Sequence, residues 1–466
     1  MNKYLEQYLK IFESNPQIQH KIINKYNQDL FFLLYNSEMI DKKLFYNILL
    51  DELNDVIKSN NYDLLKSSLL EIEEVNKFDI FNIENIIYSG NILIYSYKND
   101  MLYKLNLAFF VNRTPSLDSQ DVVYGGSKDN LIESIDTNVT LLYKRIKSSY
   151  LINDCYSIGN LSKTRLSLLY LKNKCDNKLI KEIHKRLTSI DCDAITSIGN
   201  LSTYLFNKTN LIPLMTYTSK VDLLEQALLS GKVVIIMDGI PEGIILPITL
   251  FNFGSLDDAI NEGIVVTFFS KLFSLIGIFI SLFLLGLYTS IILYEPDLIP
   301  YKILTNVYNS YKGIALSSEL ELIIAYIFFQ IFLHAGNKSL SGLSGAILII
   351  GSLLIGQVSI SSGFISQTTL IIVAISLFSC FIISNNISLN TSFMFLQLIN
   401  FISSLLFGFL GYLVSMLIII IYLNSLESFT TPFLYPFSHF NLKKIKEALF
   451  SSNYLNKKGK KKWKRY

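Results

Sequence analysis

Between residues 261 and 440 the chain carries only four basic and six acidic side chains, and its apolar runs there are long enough to cross a bilayer. Phe273–Leu293 contains no charge, and about 20 helical residues span a ~30 Å hydrocarbon core. Phe364–Ser384 is a second run of that length, Leu343–Ile360 is slightly shorter and Phe393–Leu423 is longer. Glu319–His334 is apolar but short and carries polar groups. The remaining charge lies outside: 27 basic and 31 acidic residues in 1–260, and ten basic with one acidic in 441–466. This segregation excludes a soluble single-domain enzyme, a disordered chain and a nucleic-acid binder whose basicity is spread over a folded surface. It predicts an α/β cytoplasmic N-terminal domain, an α-helical polytopic membrane domain over 261–440 with four to six spans, and a basic cytoplasmic tail over 441–466. By the positive-inside rule that tail stays in the cytoplasm and meets anionic lipid headgroups. The opening residues have no apolar core and no small-residue cleavage site, so they do not read as a signal peptide.

Residues 2–87 read as mostly helical and amphipathic, for example at Ile48, Leu49, Leu53, Val56 and Ile57. A strand pair follows at 91–97 and 101–107. The idea then returns: a helix over Val221–Leu229, strands over 232–237 and 244–246, and a turn between them. Ser89-Gly90 and Ser230-Gly231 precede the first strand of each pair, where a helix C-cap asks for glycine. Two related lobes are predicted, 1–150 and 151–260. Leu166–Leu171 reads as a strand and Asn177–Ser189 as a helix. The hexapeptide Ser157–Ser162 recurs at Ser197–Ser202 in different surroundings, and the identity is taken as chance.

No catalytic constellation is visible. The four cysteines are scattered, with no Cys-x-x-Cys pair, and the four histidines offer no clustered ligand set, so no metal site or cofactor is predicted. No histidine is placed to serve a serine or cysteine, and no Gly-x-Ser-x-Gly elbow occurs. Gly126-Ser127-Lys128-Asp129 and Ser162-Lys163-Thr164-Arg165 offer amides, hydroxyls and cations suited to an anion, but neither fits a P-loop. Turn formation and lobe–lobe or subunit docking account for them better than ligand contact does. Arg145 and Lys147 read as capping or ion-pairing groups. Asp238-Gly239, with Pro241 after it, reads first as a turn. In the membrane domain Glu319, Glu321, Gln330 and His334 could line a water path or sit at the headgroup interface. Gly356 and Gln357 mark close helix packing or a pore lining. Pro296 and Pro300 end the first span, Pro432 and Pro436 fix the exit of the last, and Lys271 can snorkel.

Taken in order, several blocks resemble the A subunits of GerA/GerKA-type spore germinant receptors. They are Gly126–Asp129 with Thr137-Asn138 and Arg145-Ile146-Lys147; Ile158-Gly159 with Ser162–Arg165; Asp191-Cys192-Asp193; Asp238-Gly239 with Pro241; Glu295-Pro296 with Pro300; Gly351 with Gly356-Gln357; and Ser425–Phe429 with Pro432 and Pro436. Asn130-Leu131 departs from the family's usual Gly-Phe. The match runs from about Ser89 to Phe437. It implies a multi-pass protein of the spore inner membrane, with both termini cytoplasmic. It also implies work beside a transporter-like B subunit and a lipoprotein C subunit, and several A subunits forming a germinant-gated cation path. A non-conducting scaffold or signalling subunit is the alternative. A secondary transporter ranks third, because 261–440 shows no internal repeat.

Overall fold

The computed structural model describes residues 3–13, 15–25, 28–59, 72–75, 80–108, 129–206, 210–250, 264–338, 356–383 and 387–438. The chain divides into two compact units. One is Met1–Asn207 with Met215–Pro247, the other Lys208–Leu214 with Ile248–Tyr466.

The first unit is built from two five-stranded antiparallel sheets of one design. β1 (Ile18–Lys25), β2 (Gln28–Asn36), β3 (Ile72–Val75), β4 (Asn91–Ser96) and β5 (Met101–Asn106) lie in the order β1-β2-β4-β5-β3. β6 (Leu151–Ile158), β7 (Thr164–Leu171), β8 (Thr216–Thr218), β9 (Val233–Met237) and β10 (Gly243–Leu246) lie in the order β6-β7-β9-β10-β8. Position for position the order is the same. A helix leads into each first hairpin, α1 (Lys3–Phe12) in one lobe and α5 (Ile135–Arg145) in the other. After the second strand α2 (Lys42–Leu44) runs through a π-turn into α3 (Leu50–Ser59), where the second lobe has α6 (Asn177–Thr188) and α7 (Ile198–Phe206). Asp41 and Asp176 cap α2 and α6 by accepting backbone N–H bonds. α4 (Ile80–Ile87) and α8 (Val221–Leu229) then precede the second hairpin, each followed by a glycine of positive φ, Gly90 at +77° and Gly231 at +86°. A Cβ on Gly90 would meet Met39 O at 2.7 Å, and one on Gly231 would meet Lys174 O at 2.8 Å. Both carbonyls stand three residues beyond the second strand of their lobe.

The expectation of a mostly helical stretch over 2–87 is corrected: β1, β2 and β3 fall inside it. Phe31–Tyr35 is an unbroken apolar run, buried along its whole length between β1 and β4. Such a run has neither the strand nor the helix period. The core of this lobe gathers Phe31, Leu33, Phe45, Leu53, Ile92, Ile94 and Tyr103.

A buried polar triad joins the lobes. Tyr88 stacks on Tyr143 with centroids 5.3 Å apart and planes 5° from parallel. Asn15 Nδ2 donates to the Tyr88 hydroxyl at 2.6 Å, and the Tyr143 hydroxyl donates to Asn15 Oδ1 at 2.9 Å. Burial raises both phenols above their ordinary range, so both stay neutral.

The second unit is helical: α9 (Ile264–Phe279), a π-turn, α10 (Leu285–Tyr294), α11 (Tyr301–Tyr311), α12 (Ser318–Lys338), α13 (Gln367–Ile383) and α14 (Ile387–Ser425), then a short hairpin of β11 (Glu427–Ser428) and β12 (Thr431–Pro432). Two helical stretches are long and apolar enough to cross a membrane, Val265–Tyr294 with 30 residues and Ser388–Ser425 with 38. The second is not one rod. Gly408 interrupts α14 at φ 61° and ψ −143°. Asn400 Nδ2 donates to Ser415 Oγ at 2.8 Å, and Ser403 Oγ to Gly411 O at 2.9 Å. In a straight helix, 15 residues would separate the first pair by about 22 Å. α14 therefore folds back on itself as two arms, 387–407 and 409–425, with its tip against Tyr294, whose hydroxyl donates to Leu405 O at 2.7 Å. Both open ends meet one segment: Ser392 Oγ donates to Leu211 O at 2.5 Å and Ser428 Oγ to Leu214 O at 2.8 Å. Beside them Leu250 N–H donates to Phe433 O at 2.8 Å.

Candidate functional site

The sequence blocks singled out in the second lobe gather into two clusters, one around Arg145 at the end of α5 and one around Arg165 and Asp238 at its start. Gly126, Ser127 and Lys128 lie outside the described residues. Asp129 reaches Arg145 Nη2 at 3.0 Å, and the same guanidinium binds Glu225 at 3.2 Å and Asp222. Burial pulls that guanidinium down, yet the three carboxylates hold it above its ordinary value. Asn138 is fully buried and clamps one residue, donating to Ile132 O at 2.6 Å and accepting from Ile132 N at 2.8 Å.

Gly159 through Thr164 form the β6–β7 turn. Leu161 N and Ser162 N donate to Asp193 O at 2.9 and 3.1 Å, and Ser162 Oγ pairs with Thr164 Oγ1 at 2.8 Å. Gly159 has φ +96° and Lys163 +45°, both turn conformations. Arg165 bridges Asp136 at 2.8 Å and Asp238 at 3.5 Å. Asp238 also accepts from Ile135 N at 3.2 Å, placing its charge at the start of α5, while Gly239 N–H donates to Glu133 O at 2.9 Å. Pro241 is exposed in the β9–β10 turn. Among the described residues, carboxylates of the chain itself thus engage Arg145 and Arg165, and the Ser162 and Thr164 hydroxyls engage each other.

In the helical unit the four polar residues of α12 do not share a face. Glu319 and His334 are exposed, Gln330 is half-buried and donates to Tyr326 Oη at 2.8 Å, and Glu321 is fully buried. Glu319 and Glu321 are two residues apart, about 200° around the helix. Glu321 Oε1 accepts from Ser366 N at 2.8 Å and from Ser366 Oγ at 2.6 Å, which closes the N-terminus of α13. Its Oε2 is buried with no hydrogen-bond partner among the described residues. Hydroxyls cluster beside it: Ser366 Oγ lies 2.9 Å from Thr369 Oγ1, which pairs with the Tyr311 hydroxyl at 3.2 Å, and Thr368 pairs with Ser310 at 2.8 Å. An ionised carboxylate buried without full compensation costs several kcal/mol.

A second set was missed by the sequence reading. Gln397, Asn400 and Ser404 lie three and four residues apart on one arm of α14, and all are fully buried. Both polar atoms of Gln397, and Asn400 Oδ1, have no partner among the described residues. Gly286 of α10 admits Asn400: a Cβ there would lie 1.9 Å from Oδ1. Three polar residues inside an otherwise apolar run were the available signal.

The remaining candidates serve local structure. Pro296 opens a 3₁₀ turn after α10 and Pro300 stands at the N-cap of α11, so Pro300 starts a helix as well as following one. Pro432 is paired in β12 and Pro436 follows it in a turn. A Cβ on Gly356 would meet Leu370 at an ordinary 3.6 Å, and Gln357 is exposed. Lys271, expected to snorkel, is 9% exposed inside the unit.

The Bacillus/Clostridium GerA spore germination protein family matches residues 3–463. Spore germination protein XA of Bacillus anthracis is 31% identical over 416 residues, covering 87% of this chain and 84% of the relative. Spore germination protein A1 of Bacillus subtilis (strain 168) is 24% identical over 453 residues, covering 96% and 92%. Among solved structures, the N-terminal domain of the A subunit of the Bacillus megaterium spore germinant receptor GerK3 is similar at 21% identity, with a TM-score of 0.39, covering 52% of this chain and 92% of that one. With the family matched along nearly its full length, the chain belongs to the GerA spore germination proteins.

Proposed function

We propose that the chain is the A subunit of a nutrient germinant receptor in the spore inner membrane, and that several copies form a germinant-gated path for monovalent cations. One observation carries the reading: Glu321, Gln397 and Asn400 are fully buried polar residues of the helical unit, each with side-chain atoms that meet no hydrogen-bond partner among the described residues. Polar groups at such depth are costly and line protein or water-filled paths. The exposed face of α9, with Val265, Phe269, Leu272, Ile276 and Phe279 at spacings of three and four, fits lipid or a neighbouring copy. A B subunit of transporter type and a lipoprotein C subunit complete the receptor, and both termini face the cytoplasm. Germinant binding biases a two-state membrane domain by as much as its affinities for the two states differ.

Potassium efflux from dormant spores, with and without this chain, tests the reading across amino acids, sugars and salts. Loss of efflux for particular germinants is expected. Unchanged efflux in spores lacking every related receptor as well overturns it. The capping of Ser366 by Glu321 favours a second reading, a scaffold that conducts nothing. Under it, Glu321→Lys would lose assembly without altering ion selectivity.

A further inference from the structure

Glu321 is only half explained by its place in the fold. Oε1 completes the start of α13, a structural task. Oε2 does nothing for that helix, is sealed from solvent and meets no donor among the described residues. The residue has no ion-pair partner there, so its charge is uncompensated by the protein. The side-chain polar atoms beside it are oxygens: Ser366 Oγ, Thr369 Oγ1 and the Tyr311 hydroxyl, linked in sequence at 2.9 and 3.2 Å. They come from α11 and the start of α13, and with Glu321 of α12 the cluster draws on three elements. Thr369 is fully buried as well.

We infer that Glu321 Oε2, with the hydroxyls of Ser366, Thr369 and Tyr311, binds a single alkali-metal cation. Hard oxygen donors without nitrogen or sulfur select hard cations. A lone carboxylate sets the charge: a monovalent ion leaves the buried site neutral, whereas a divalent ion would leave a net positive charge in an apolar unit. A proton on Oε2 would remove the charge instead, and the binding measurement separates the two accounts. The inference deepens the cation-path reading by naming a station on it, yet occupancy is measurable without conduction.

The test is equilibrium binding of rubidium-86, as a potassium analogue, to the full chain in lipid nanodiscs, with choline holding the ionic strength constant. One saturable ion per chain is expected. Glu321→Gln should abolish it, because the amide oxygen can still accept both Ser366 bonds while the charge at Oε2 is gone. Thr369→Val and Tyr311→Phe each remove one ligand and should weaken binding several-fold, which covers the case in which Glu321→Gln does not fold. Absence of saturable binding to the unaltered chain, or equal binding by the folded Glu321→Gln chain, overturns the site, a proton-only carboxyl then being the remaining account. No saturable binding to the unaltered chain, alongside spores that still release potassium on germinant, would sink the site and spare the path. Intact binding without efflux would do the reverse.

Discussion

Arg145 shows what one side chain can be asked to hold. It collects Asp129 from one stretch of chain and Asp222 and Glu225 from α8. Arg145→Ala leaves these partly buried carboxylates facing one another, and should cost about 2–3 kcal/mol, read as a lower thermal midpoint. Arg145→Lys should recover only part of that, since an ammonium has no planar fork. Lys232 carries a pH signature. Its Nζ is buried without a partner among the described residues, and burial pulls the ammonium down to about 8. Between pH 8 and its ordinary value the unfolded chain holds a proton that the folded chain does not, so stability from this group rises with pH through that window. Below pH 8 both states are charged and the penalty is full. Lys232→Met should therefore raise the thermal midpoint at pH 7.5, worth up to about 3 kcal/mol, and the gain should shrink towards pH 10. A gain independent of pH would refute the assignment. At this scale the sequence was readable where a residue acts locally, as at Asp238 and Gly239. It was silent about Glu321 against Ser366, because 45 residues separate the partners.

Among elements, the helix Val221–Leu229 and the strand over 166–171 could be read from pattern because caps and alternation sit inside the segment. β2 could not, since both of its faces are buried and its run has no period. The repeated hexapeptide makes the point sharply: Ser157–Ser162 ends β6 and turns, while most of Ser197–Ser202 lies in α7. Neighbours decide, through the paired β7 strand in one case and the capping Ser197 hydroxyl, which accepts from Asn200 N, in the other. A single glycine, Gly408, makes the long run at 393–423 a hairpin. Gly408→Ala forces a Cβ to 2.7 Å from the Tyr294 ring at a φ that L-residues rarely adopt. It should open the hairpin, which a spin-label pair on residues 403 and 411 would report as increased separation. Gly286→Ala should disturb the same seam from the α10 side, displacing Asn400.

On the scale of the molecule, the duplicated lobes could be glimpsed from two Ser-Gly pairs, whereas the triad joining them could not. Asn15 lies 73 residues from Tyr88 and 128 from Tyr143. Asn15→Leu would strand two buried hydroxyls and should cost about 2–4 kcal/mol, against under 1 kcal/mol for a surface asparagine. Measurement of thermal stability with and without Tyr143→Phe would separate the hydroxyl from the ring. The contact between Leu250 N–H and Phe433 O has a topological meaning. Two points of a chain 2.8 Å apart lie on the same side of any bilayer that passes through the helices between them. The crossings from residue 250 to residue 433 must then come in an even number, whatever that number is. An accessibility tag inserted before residue 264 and another placed after residue 438 should report one compartment.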